Sequence, residues 1–75
     1  MREKLLKILR DCCPDVDFER ETALIDDGLL ESLDIVTVVG DIMYTFGVEI
    51  SVDDLLPENF NSVDAMIALI ESKAG

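Results

Sequence analysis

The sequence predicts an all-α protein, a small four-helix bundle with a long loop between helices 1 and 2 and a short third helix. Three observations carry that reading. Apolar residues recur at helical spacing in separate segments, no segment alternates with the period of two that a half-buried strand requires, and Pro, Gly and Ser stand where helices start and stop. With 75 residues, 49% of them apolar, the chain is expected to form one domain over residues 1–75 with enough apolar side chain for one core.

In the segment from Arg2 to Cys13, Leu5, Ile8, Leu9 and Cys12 fall at i, i+3, i+4 and i+7, one face of a helix that Pro14 ends. From Pro14 to Leu30 the pattern lapses. So long a connection in a compact domain is usually functional or tethered, and Phe18, Leu24 and Ile25 are its expected anchors in the core. Helical spacing returns from Leu33 to Phe46, where Ile35, Val38, Val39, Ile42 and Phe46 share a face, and Gly47 supplies the C-terminal stop. Ser51 and Asp54 have capping-box spacing for a short helical turn before Pro57. Asn61 and Asp64 offer a cap for a last helix that turns Val63, Met66, Ile67 and Ile70 inward.

The net charge is −11, unevenly spread: the first ten residues carry +3 and the remainder −14. Phosphate binding needs a basic face, so nucleic acid is not an expected partner, and a basic protein surface is the natural complement. Met1 is followed by Arg2, Glu3 and Lys4 with no long apolar run, so neither a secretion signal nor a membrane span is expected. A monomer in the cytoplasm is the expected state. Cys12 and Cys13 are adjacent and the chain has no histidine, so the two thiols make half a zinc site at best, and no metal site is read from the spacing. Without histidine, nucleophilic serine catalysis has no ordinary base, and the chain is not expected to be an enzyme.

These exclusions sharpen the question posed by Ser32 in DDGLLESLDIV, where an acidic loop becomes a helix. Serine is a good N-cap there, its oxygen accepting a free backbone N–H. The same position suits a modification, because a phosphate ester would sit at the positive end of the helix dipole.

The run DDGLLESLDIVTVV, the helix ending in FGVEI and the later DLLPENFNSVDAMIALI together resemble the acyl carrier and peptidyl carrier family along nearly the whole chain. The resemblance implies a bundle of the acyl carrier type and a 4′-phosphopantetheine arm, taken from coenzyme A and joined through a phosphodiester to Ser32, whose terminal thiol carries acyl or aminoacyl groups as thioesters. It implies a phosphopantetheinyl transferase, a loading enzyme and downstream synthases or transferases as partners. Glu31 departs from the family, which usually has aspartate before the serine; its carboxylate reaches farther. GLLES looks like the GLLDS of D-alanyl carriers, and the PENF stretch resembles peptidyl carriers.

A second stripe on the Leu33–Phe46 segment, Leu33, Val36, Gly40 and Met43, lies away from the core face and beside Ser32. With Glu31, Asp34 and Asp41 at its edges it is the expected recognition strip for enzymes with a basic rim around an apolar groove. Two other functions fit parts of the sequence. One is an unmodified acidic adaptor for a basic protein, with Ser32 only a cap. The other is weak divalent-cation binding by Asp15, Asp17, Glu19 and Asp26, which mimic a calcium-loop register although Arg20 stands where glycine is needed.

Overall fold

The computed structural model describes residues 1–74, and it is a four-helix bundle with the expected long first loop and short third helix. The helices are α1 (Arg2–Cys12), α2 (Ser32–Phe46), α3 (Pro57–Phe60) and α4 (Val63–Ala74), with a 3₁₀ turn at Val52–Asp54. Among the described residues there is no strand. Helix α1 packs against α2 and α4, and α3 packs against α4.

One cluster of apolar side chains lies between them, built on Leu5, Leu9, Val38, Ile42, Met66 and Ile70 from the three long helices and closed by Phe18, Leu24 and Phe60. The inward face of α1 is rotated from the expected one. Leu6 is buried with Leu5 and Leu9, while Ile8 and Cys12 are half-buried, because α1 faces α2 and α4 together and a two-partner groove takes a broader stripe. In α4, Leu69 joins Val63, Met66 and Ile70 in the interior and Ile67 is half-buried for the same reason.

Helix ends follow local chemistry. Gly47 takes a left-handed conformation, φ 66°, and its N–H closes on Met43 O, as its position after the apolar stripe predicts. The Ser51 N–H donates to Asp54 Oδ2 at 3.0 Å, giving the expected cap for the 3₁₀ turn. Helix α3 starts at Pro57, where a missing N–H costs nothing. The cap of α4 is displaced from expectation: Ser62 Oγ, not Asn61, accepts from Ala65 N–H at 3.1 Å.

Asn61 is used elsewhere. Its Oδ1 accepts the N–H groups of Ile25 and Asp26 at 2.9 and 3.1 Å, its Nδ2 donates to Asp26 Oδ2, and its carbonyl accepts from Leu24 N–H. The loop then closes on Leu24, whose carbonyl accepts from both Leu29 and Leu30. That return needs the left-handed turn at Gly28, φ 72°. Leu24 is fully buried, so the loop is held by hydrogen bonds and by an apolar plug at the same point.

Two outcomes follow. Asn61→Ala strips the Ile25 and Asp26 amides of their acceptor, and urea unfolding should show a loss of about 1–3 kcal/mol. Asn61→Asp keeps the acceptor but sets a carboxylate against Asp26, and should restore only part; a loss near zero for Asn61→Ala would mean that the apolar plug alone holds the loop. The second outcome concerns Asp54, whose Oδ2 meets Lys73 Nζ at 2.7 Å. Lys73, then the Ser51 N–H, hold its carboxyl below the ordinary value of 3.8. A carboxyl with a lowered folded pKa gives stability that is present above its unfolded value and lost as pH falls through the folded one. Circular dichroism across an acid titration should therefore show a shallower decline for Asp54→Asn than for the parent, and superimposable acid limbs would remove Asp54 as a contributor.

Candidate functional site

The start of α2 is organised by its neighbours in sequence rather than by Ser32. Glu31, with extended backbone at φ −99° and ψ 172°, is the N-cap, and Ser32 is the first helical residue. Asp34, three residues beyond the cap, turns its Oδ2 back to accept the Glu31 N–H at 3.2 Å. The expectation that Ser32 caps the helix is therefore corrected by one residue. The consequence is chemical: an exposed hydroxyl stands in the first turn of a 15-residue helix, at the positive end of its dipole, without being needed for the cap.

The chain's other serines are occupied. Ser51 Oγ donates to Asp54 Oδ2 at 3.1 Å, Ser62 Oγ caps α4, and Ser72 Oγ donates to Leu69 O at 2.7 Å. Ser32 also borders an open recess of about 210 Å³ lined with Ile35, Val36 and Leu55. A second, smaller apolar recess shares Ile35 and Leu55 and continues to Leu56, Pro57 and Phe60. The first recess is below the usual range of about 300–1,000 Å³ for sites that enclose a small molecule.

Beyond Ser32, most of the second stripe on α2 is exposed. Leu33 and Val36 are 81% and 63% exposed, and Gly40 and Asp41 face solvent. Met43 differs: it is half-buried and its sulfur accepts the Ile50 N–H at 3.4 Å, so it tethers the connector after α2. Tyr44, 91% exposed, continues the same face. Asp34 also differs, being half-buried, with Oδ1 3.8 Å from Cys12 Sγ. Glu31 and Asp41 remain exposed acids.

Leu55, exposed and lining the recess with Val36, and Leu56, exposed in the adjoining smaller recess, are additions that helical periodicity could not select, since they lie between helices. Their signal was an apolar pair before a proline in an otherwise acidic stretch. The calcium-loop pattern is not realised. Glu19 faces Arg10, Asp17 faces Arg20 and Asp26 holds Asn61, and among the described residues Asp15, Asp17, Glu19 and Asp26 form no metal-holding group.

A family model described as the phosphopantetheine attachment site matches residues 2–70, which takes in all four helices except the end of α4. The comparisons with curated proteins and with solved structures give no match.

The exposure of the strip has a direct check. Val36→Asp should fold with a stability change within about 0.5 kcal/mol of the parent, whereas Val38→Asp, a charge in the core, should abolish the cooperative melt. Loss of folding in both variants would place Val36 in the interior.

Proposed function

Because the chain belongs to the phosphopantetheine attachment-site family, whose members carry a covalently attached 4′-phosphopantetheine, we propose that Ser32 is the point of attachment and that the protein carries acyl or aminoacyl thioesters between enzymes. The observation that carries this reading is the state of the four serines: three hydroxyls are engaged in intrachain hydrogen bonds, while that of Ser32 is exposed in the first turn of α2 inside Ser32-Leu33-Asp34.

The position fits the group. In the transfer from coenzyme A the Ser32 hydroxyl loses its proton and gains the phosphopantetheine phosphorus, and the adenosine bisphosphate leaves. The resulting phosphodiester is an anion, and the first-turn N–H groups of α2 with the helix dipole favour an anion there. The arm supplies the thiol that bears the cargo. The chain's own residues position and present it: Asp34 fixes the helix start, Val36 and Leu55 offer an apolar surface beside the attachment point, and the rigid bundle holds both. A tether of this kind keeps a reactive thioester at high effective concentration for each docking enzyme, so the protein needs no catalytic group of its own.

Partners are a phosphopantetheinyl transferase and loading and downstream enzymes with a basic rim around an apolar patch, acting on a cytoplasmic monomer. Exposed Glu31 and Asp41 steer the encounter, while Leu33, Val36 and the open face at Gly40, where nothing lies within 4 Å of an added Cβ, set the contact.

Mass spectrometry tests the attachment. Incubation of the full chain with coenzyme A and a permissive transferase should add one phosphopantetheine, and Ser32→Ala should stay unmodified while retaining its helical circular dichroism. Modification that persists in Ser32→Ala would move the site to another residue.

A further inference from the structure

The end of α1 and the start of α2 bring two adjacent cysteines against an aspartate 21 and 22 residues further along the chain. Cys13 S–H points to Cys12 Sγ at 3.6 Å, and Cys12 S–H points to Asp34 Oδ1 at 3.8 Å. The two sulfurs and a carboxylate oxygen all lie within 4.8 Å of one another, the side chains are half-buried, and both thiols are free. We propose that Cys12, Cys13 and Asp34 form a site for a borderline-soft divalent cation of the zinc type, which ties the end of α1 to the first turn of α2.

Two of the three edges have the spacing such an ion requires, and the third, Cys13 to Asp34, lies within 4.8 Å. Ligands at about 2.3 Å for sulfur and about 2.1 Å for oxygen, set tetrahedrally, are separated by about 3.8 Å between sulfurs and about 3.6 Å between sulfur and oxygen. The Cys12–Cys13 and Cys12–Asp34 distances are within a few tenths of an ångström of those edges. Asp34 is also oriented for the task, since its Oδ2 is fixed by the Glu31 N–H while Oδ1 faces the sulfurs. The donor set selects the ion: two thiolates favour zinc over magnesium or calcium, which seek oxygen. On binding, the two S–H protons are released to solvent and no oxidation is involved; a fourth position is left for water.

Adjacent cysteines supply only half a site in sequence, and it is the packing of α1 on α2 that contributes the third ligand. The site lies two residues from Ser32 without including it, so the inference does not depend on what Ser32 carries.

The full chain, reduced and unmodified at Ser32 so that no arm thiol competes, is titrated with Co²⁺ in excess Mg²⁺ to block the surface carboxylates. A thiolate-to-cobalt charge-transfer band should saturate at one ion per chain and vanish on addition of Zn²⁺, with a rise in melting temperature that tracks metal concentration. Cys12→Ser and Cys13→Ser should each lose the band, and Asp34→Asn, which keeps an oxygen for the Glu31 N–H, should bind at least about tenfold more weakly. If a cysteine variant fails to fold, Asp34→Asn alone decides. Absence of the band, saturation at half an ion per chain through two molecules sharing the metal, or parental affinity in Asp34→Asn overturns the site.

Discussion

The anchoring of the first loop by Asn61 is the constraint on which the rest of the structure depends. Between Cys12 and Ser32 the chain runs without a helix, and a connection of that length has ample freedom to lose. Asn61, at the junction of α3 and α4, removes that freedom at one place by satisfying Leu24, Ile25 and Asp26 together. Leu24 is thereby held in the core, the Gly28 turn closes on its carbonyl, and Leu30 enters the interior immediately before the cap of α2. The position of Ser32 is thus set from two sides, by the core face of α2 and by a loop fastened to the opposite end of the chain.

Asp34 is the second organising residue, because several demands meet on one carboxylate. One oxygen caps α2 and the other faces the Cys12 thiol. This division leaves the serine hydroxyl free of structural duty, which matters for any residue that another enzyme must reach: a hydroxyl that also capped its helix would have to surrender a hydrogen bond before it could react. The position before the serine, Glu31, is an exposed N-cap that forms a capping box with Asp34, its N–H donating to Asp34 Oδ2.

What could be read from the sequence and what could not divide along a physical line. Features determined within one helical turn were legible: the apolar face of α2 through Val38, Val39 and Ile42, the Gly47 stop, the Ser51–Asp54 cap, and the exposure of Leu33 and Val36. Features that depend on a distant partner were not. Asn61 has good cap chemistry, but Ser62 serves equally well one residue later, and only the tertiary position of Ile25 and Asp26 makes Asn61 more valuable as a staple. Leu6 is apolar in a helix that a single-face rule would orient differently, and two neighbouring helices enlarge its buried side. Met43 fits the exposed stripe by angle, yet its long, soft side chain folds back to Ile50.

The charge asymmetry gains meaning from where the cations are used. Arg2 meets Asp64 in α4, Arg10 reaches Glu19 in the loop, Arg20 faces Asp17, and Lys73 holds Asp54, so four of the six basic side chains are directed at acids other than Glu31, Asp34 and Asp41. Pairs as exposed as the first two contribute little to stability. Their effect is on the shape of the field. They offset negative charge along α1, the loop and the 3₁₀ turn, whereas among the described residues neither Glu31 nor Asp41 has a cation within 4 Å, although Lys4 and Lys7 line a recess with Asp41. Glu31 thus stays an exposed acid without an ion pair next to Leu33, which with Val36 is the most exposed apolar surface on α2 after Tyr44. A long-range field and a short-range apolar contact then coincide on one helix face. In the carrier role proposed for the chain, such coincidence lets a partner approach quickly under electrostatic steering, be held by a small apolar patch, and leave again, as serial visits to several enzymes demand.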